Sequence, residues 1–418
     1  MSTISNPSRD ACFVWIWLPA TSEPIVAGRL ERAADDRLLF NYGQRYLERA
    51  DAIPIEAREL PLRAGQFEPG PPMIMPSAIR DASPDSWGRR VILHQRPNAA
   101  TDPTELDYLI ESGSDRIGAL DFQASATEYA PRGHGNATLS ELMTASERVE
   151  QGVPLTPALE LALRHGTAIG GARPKALIDE PDVKWIAKFS ASNDISDVIR
   201  NEFVAMRLAA RCGLSVAHVD LRESLGKSAL LIERFDRQPD GEGGWHRRAM
   251  ESALTMLALD EMEARYASYE ALAEVIRARF ANPRETLHEL FGRMVFNILC
   301  GNTDDHARNH AAFWDGKALT LTPAYDICPQ PRTGRIAGQA MLISGASNES
   351  RLMRCVEAAP AFQLREEEAK AIIGTQMDVI RGAWDEVCDE AGMTPADRAA
   401  LWGRQFFNPY AFEGWAEV

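Results

Sequence analysis

"NPRETLHELFGRMVFNILCGNTDDHARNH", residues 282–310, runs an apolar helical rhythm straight into ten positions crowded with polar groups. Asn282 suits an N-cap, Pro283 the first helical position and Glu285 the third. Leu287, Leu290, Phe291, Met294, Val295, Ile298 and Leu299 then keep the i, i+3, i+4 spacing of a core helix, which Gly301 is able to end. The polar decapeptide "GNTDDHARNH" therefore leaves a buried element, as a catalytic loop or as a solvated turn. Downstream, "HAAFWDGKALTLTPAYDI" reads as a hairpin turning at Asp315-Gly316 and delivering Asp326 just past its second strand.

Within that stretch Asp304 and Asn309 are separated by four residues, and Asp326 follows one hairpin later. This order suits phosphoryl transfer, with a carboxylate to accept a hydroxyl proton and two oxygen ligands for Mg²⁺. The spacing points to Asp304 as base and leaves Asp305 a solvated or capping neighbour. Asp-x4-Asn alone recurs by chance, so partners are needed upstream. Lys188 lies in the strand-like "WIAKFS", where a lysine wants an anionic partner; an edge-strand lysine fits equally well. Glu202, near Ile199 and Phe203 on the following helix, is placed either to orient Lys188 or to face solvent. In "AIGGARPK", residues 168–175, paired glycines offer backbone N–H groups and Arg173 and Lys175 add charge, although a plain Gly-Gly turn fits as well. In "LLIERFDR" the backbone of Glu233 and Phe235 suits a base edge; surface ion pairs are the alternative. A metal hydrolase built on Asp304, Asp305, His306 and His310 has suitable ligand types, but no helix holds the two histidines on one face.

With 418 residues, 45% hydrophobic and 25% charged, the chain is long enough for two cores. A net charge of −15 argues against direct coating of a phosphate backbone, and no apolar run approaches a membrane span. Six scattered cysteines (Cys12, Cys212, Cys300, Cys328, Cys355 and Cys388) without ligand spacing favour reduced, packed thiols and a cytoplasmic setting. Residues 13–70 alternate strand-like pieces with turns, as a small β-rich module. "SPDSWGRRVILHQ" and "TELDYLIESG" read as short helices, and "PRGHGNAT", 131–138, as a linker. "KALIDEPDVKWIAKFS" reads as a hairpin, and a helix from about 197 to 212 presents Ile199, Phe203, Met206 and Ala210 on one face, with Gly213 as its stop. "SALLIERFDR" is a further strand. From 365 the chain is helical, and Thr394-Pro395 opens a last helix.

Taken in order, "GGARPK", "AKF", "NEFVAMRLAARCGL", "LLIERFDR", "GNTDDHARNHAAFW" and "LTPAYDI" resemble the HipA family, the kinase toxins of bacterial toxin–antitoxin pairs. "MPSAIRDASPDSWGRRVI" and "NPYAFEG" extend the resemblance over nearly the whole chain. It implies an α+β fold of the two-lobed, phosphoinositide-kinase-like kind. An N-terminal β-rich subdomain would occupy 1–135, a small lobe with phosphate loop and hinge 136–240, and a helical large lobe with the catalytic loop 241–418. It implies a serine/threonine protein kinase using ATP and Mg²⁺, an aminoacyl-tRNA synthetase or another translation protein as substrate, and a HipB-type antitoxin that makes most of the operator DNA contacts. A pseudokinase-like regulatory module acting with that antitoxin is the alternative.

Position by position, the resemblance makes Asp304 the base and Asn309 and Asp326 the Mg²⁺ ligands. Lys188 would hold phosphates, Glu233 and Phe235 would form the hinge, and the backbone of Ile169, Gly170, Gly171, Ala172, Arg173 and Lys175 would form the phosphate loop. His306 would contact a phosphate or brace the loop. Family members often carry an autophosphorylated serine before this loop; here Ala168 stands in its place, beside Thr167. Either Thr167 substitutes, control rests on the antitoxin, or position 168 has been altered to keep the loop unmodified.

Overall fold

Alternating apolar positions near the N-terminus build a sheet with one buried face. A computed structural model describes residues 10–96, 101–133, 137–332 and 334–415; within the expected linker, 134–136 lie outside the described residues. The chain packs into two compact units, Met1–Ile186 with Asp236–Met250, and Ala187–Phe235 with Glu251–Val418.

In the first unit the strands Ala11–Ile16, Ile25–Arg32, Leu38–Tyr42, Gln66–Phe67 and Leu120–Gln123 form an antiparallel sheet, with Ala11–Ile16 between Ile25–Arg32 and Leu120–Gln123. Val14, Ile16, Leu30, Phe40 and Phe122 fill its core with Tyr46 and Ile79. The expected short helices are Ser86–His94 and Glu105–Glu111, the latter opened by a capping box of Thr104 and Asp107. Helices Leu139–Gln151 and Pro157–His165 follow. The predicted hairpin consists of Lys175–Glu180 and Val183–Lys188, turning at Pro181 and Asp182.

The second unit opens with the helix Val198–Arg211, capped by Asp197 and followed by Gly213 at φ 82°. Ile199, Phe203 and Met206 are buried as expected, but Ala210 is exposed. Ala210 and Arg211 are exposed because the C-terminal end of the helix is left uncovered, whereas Asn201, Glu202, Val204 and Ala205 show that its earlier turns are enclosed on more than one stripe. Arg207 and Arg211 tie it to Glu390 and Glu386 of the long helix Glu366–Glu390 at 2.8 and 2.7 Å. The strands Val219–Ser224 and Lys227–Glu233 pair as a hairpin.

The central helix is Pro283–Cys300, with all seven periodic apolar residues buried. Each buried Leu, Ile or Phe contributes roughly 1.5–3 kcal/mol, which makes this helix the fixed element from which the polar decapeptide departs. Asn282 stands at the N-cap without a side-chain bond there, and Pro283, which has no N–H to satisfy, starts the turn. The downstream hairpin pairs Ala311–Trp314 with Leu319–Leu321, and Asp315 Oδ1 accepts from the amides of Lys317 and Ala318 across the turn. The last helix, Pro395–Leu401, has a capping box of Thr394 and Asp397.

Gly301 ends the central helix at φ 73°, and a Cβ there would lie 2.7 Å from the Gln405 carbonyl oxygen. Both the left-handed backbone and the space demand glycine. Gly301→Ala is expected to lower the unfolding free energy by about 2 kcal/mol or more, read from the denaturation midpoint; an unchanged midpoint would contradict this account.

Candidate active site

Lys188 closes the strand Val183–Lys188 and is buried, which decides against the edge-strand alternative. Its ammonium donates to Glu202 Oε1 at 2.6 Å and to the Asp326 carboxylate. Glu202 is 1% exposed, so it is not a surface glutamate. Burial alone would push the lysine pKa down; Asp326 and Glu202 outweigh it and raise the value, which keeps the ammonium charged. Asp326 sits at φ 59° just beyond the hairpin, and its side chain remains 41% exposed.

Six residues of the decapeptide are buried, three are half-buried and Asp304 alone is exposed. Asp304 is exposed, while Asp305 beside it is 2% exposed. Partial burial raises the Asp304 carboxyl pKa; His306 works against this, and the charges of Asp326 and Asp305 add to it. Asn309 is buried at the end of the short turn Ala307–Asn309, and its Nδ2 donates to the Asp304 carbonyl at 3.3 Å. His306 is half-buried, and its carbonyl accepts from the Asn309 amide at 2.8 Å.

Asp305 and His310 overturn the expectation of a solvated turn. The Asp305 carboxylate accepts from the Tyr269 hydroxyl, and His310 Nε2 lies 3.1 Å from Asp305 Oδ1. Arg308 is half-buried, ion-paired with Glu261, and its carbonyl accepts from the Tyr325 hydroxyl at 2.7 Å. Burial of the central helix continues through Asn302, so the chain enters the loop already enclosed and an ionised side chain there needs partners. Tyr269, 36 residues upstream of Asp305, carries no local signal that would have found it.

Glu233 ends the strand Lys227–Glu233, with its amide committed to the His218 carbonyl at 2.9 Å. Phe235 packs edge-on against Phe313 at 5.9 Å and lies 5.7 Å from Tyr325. The structure thus joins Lys188, Glu202 and Asp326 directly and Asp304 to Asn309 through the backbone, with His306, Glu233 and Phe235 in the same unit.

Ile169, Gly170, Gly171, Ala172, Arg173 and Lys175 belong to the first unit. There Gly171, at φ 101°, donates its amide to Asp85 Oδ2 at 2.9 Å, and the Lys175 ammonium turns onto the Gly170 carbonyl. Lys175 is buried. Thr167 is also buried: its hydroxyl donates to the Arg164 carbonyl at 2.8 Å and accepts from the Gly113 amide at 2.9 Å. The same unit gathers Asp115, His165 and Asp179, a set with metal-ligand types. Lys184 lies 2.8 Å from Asp115 and 2.9 Å from Asp179, and Arg237 reaches Asp115 at 2.8 Å.

Two family descriptions fit the chain, HipA-like C-terminal domain over residues 167–384 and HipA N-terminal domain over 19–123. The chain is 33% identical over 147 residues to a putative kinase, Y4mE, of Sinorhizobium fredii, covering 34% of this chain and 33% of that protein. It is 28% identical over 145 residues to the serine/threonine-protein kinase toxin HipA of Shewanella oneidensis, covering 31% and 34%. The matched stretches span about one third of either relative's length. Among solved structures, the fold is similar to that in the complex of Shewanella oneidensis HipA, HipB and operator DNA, at TM-score 0.71 and 18% identity over 97% of this chain and 100% of that one. The fold is α+β, two-lobed and kinase-like.

Removing the buried cation tests the site's electrostatics. Lys188→Met is expected to cost about 3 kcal/mol of stability, because it leaves a buried carboxylate without its ammonium. With the lysine pKa raised, this contribution is complete below the free-lysine value of about 10.4 and is lost only as pH climbs through the raised one. Denaturation at neutral and mildly alkaline pH should therefore give the same difference between wild type and variant.

Proposed function

The chain belongs to the HipA family, and we propose that it is an ATP-dependent serine/threonine protein kinase, the toxin of a toxin–antitoxin pair. The observation that carries this reading is the buried ammonium of Lys188 held between Glu202 and Asp326, in one unit with a loop that offers Asp304 and Asn309. Kinases use this set of groups to grip phosphates, bind metal and accept a hydroxyl proton.

In this reading Asp304 takes the proton from the substrate hydroxyl. Its exposure lets a protein side chain reach it, and its raised pKa brings its basicity closer to neutral pH. Lys188 holds the nucleotide phosphates, with Glu202 fixing its direction. Asn309 and Asp326 would hold Mg²⁺, and oxygen donors of this kind suit that hard cation. Two features fit a cation there: the Asp326 carboxylate already attracts an ammonium, and the nearby charges of Asp326 and Asp305 help to raise Asp304. When bound, the metal neutralises phosphate charge and aligns the transfer. The backbone of 169–175 serves as phosphate loop, Glu233 and Phe235 as hinge, and His306 as a loop brace or phosphate contact. Because the Glu233 amide is committed to His218, its carbonyl is the group left to face a base.

The functional division follows the sequence, with the β-rich subdomain at 1–135, the small lobe at 136–240 and the large lobe at 241–418. A HipB-type antitoxin is the partner, by analogy with the Shewanella complex, and supplies most of the operator contacts because this chain carries a net charge of −15. The substrate is an aminoacyl-tRNA synthetase or another translation protein, in a cytoplasmic setting. Among the described residues no helix is long and apolar enough to cross a membrane.

Incubation with labelled ATP, Mg²⁺ and a panel of aminoacyl-tRNA synthetases tests this reading. Transfer is expected to fall by about a thousandfold or more in Asp304→Ala and in Asp326→Ala, and to stop when Mg²⁺ is chelated. ATP binding without Mg²⁺-dependent transfer to any protein would favour the regulatory module instead. Mass spectrometry of the chain in the same tubes reads modification at Thr167.

A further inference from the structure

Asp305 is an ionisable side chain buried beside the proposed base, and nothing in the mechanism above uses it. Its carboxylate accepts from the Tyr269 hydroxyl and faces His310 Nε2 at 3.1 Å. Tyr269 and His310 are buried as well, with ring centroids 5.4 Å apart in an edge arrangement. His310 Nδ1 is buried without a hydrogen-bond partner among the described residues, so a proton on Nε2, toward Asp305, leaves no buried N–H unpaired.

We propose that Tyr269, Asp305 and His310 are positioning residues that fix the separation of Asp304 and Asn309; this role rests on the kinase reading above. Asp305 follows Asp304 directly and His310 follows Asn309 directly, so the Asp305–His310 contact closes the loop between base and amide ligand at both ends. The ring is anchored from outside at two places. Tyr269 opens the helix Tyr269–Arg279, with its amide donating to the Leu342 carbonyl at 2.9 Å, and the Ala253 amide donates to the His310 carbonyl at 2.7 Å. At the end of the central helix, Asn297 Oδ1 accepts from Asn302 Nδ2 at 3.0 Å. That Asn302 amide lies 3.4 Å from the Asp326 carbonyl. The buried cluster of Tyr269, Asp305 and His310 therefore touches the chain beside Asp304 and beside Asn309, and a second set of buried amides reaches Asp326. A solvated turn needs none of this, and burying an ionised carboxylate is costly unless it is fully partnered.

The test uses the full chain with Tyr269→Phe, which removes one hydroxyl and no ring volume, together with Asp305→Ala and Asp305→Asn. The initial rate of Mg²⁺-dependent ADP formation is measured against ATP concentration, and amide hydrogen exchange is followed over 303–310. Tyr269→Phe and Asp305→Ala are expected to lower kcat by about tenfold or more with KM for ATP within about twofold. Loop amides should exchange about fivefold faster or more, with the interior of Pro283–Cys300 unchanged. Asp305→Asn, which keeps an oxygen for the phenol, should recover most of the rate. An unchanged kcat in Tyr269→Phe, or loop exchange equal to wild type in both Tyr269→Phe and Asp305→Ala, overturns the proposal. If wild type and Asp304→Ala form ADP equally slowly, the kinase reading fails, and the exchange experiment alone decides whether the network holds the loop.

Discussion

A lysine ammonium taken out of water stays charged only where carboxylates replace the lost solvation, at a cost of several kcal/mol per ion. Lys188 meets this condition through Glu202 and Asp326. The requirement constrains much of the second unit. Val198–Arg211 must turn Glu202 inward, which explains why that helix is enclosed on the side where its pattern shows charge. The hairpin after the central helix must stop where Asp326 reaches the ammonium. Asp326 does so at φ 59°, an uncommon conformation for a residue other than glycine. Its neighbours hold it there, since the Ala324 amide donates to the Ser215 carbonyl at 2.7 Å and the Ala217 amide to the Ala324 carbonyl at 2.9 Å.

From this fixed point two adjacent, chemically identical side chains acquire different work. Asp304 is exposed, and partial burial and neighbouring carboxylates raise its pKa against the lowering effect of His306. Asp305 faces inward, where Tyr269 and His310 absorb its charge. Environment, not residue type, separates the two, leaving one carboxylate open to solvent and enclosing the other.

Much of this was legible in local pattern. The helix Pro283–Cys300 declared itself by unbroken periodicity and its Pro and Gly ends, and the hairpin that precedes Asp326 by its Asp-Gly turn. The inward turn of Glu202 was undecidable from its helix, because one acidic residue beside an apolar stripe fits either face until its partner is known. The burial of Asp305 and His310 was not legible, because polarity in a short loop ordinarily means solvent. Their partner, Tyr269, arrives from a helix start that has no sequence relation to the loop. Ala210 failed for the opposite reason: periodicity assigns it a face but not the depth to which that end of the helix is covered.

The two carboxylate clusters of the chain differ in a way that bears on cation binding. Around Asp115, His165 and Asp179, ligand types converge, yet Lys184 and Arg237 already supply the positive charge. Asp179 resists the effect of its own partial burial and is held down to about 2 by His165 and Lys184. A divalent ion entering there would have to expel ammonium and guanidinium groups that are well placed. At Asp304 and Asp326 the balance is reversed. The charges of Asp326 and Asp305 both act on Asp304, one lysine is shared between Asp326 and Glu202, and Asp304 is left raised. Ligand types alone would favour the cluster that contains a histidine. Charge balance sets the two apart: two cations stand on Asp115, whereas at the second cluster Lys188 is divided between Asp326 and Glu202 and Asp304 stays raised.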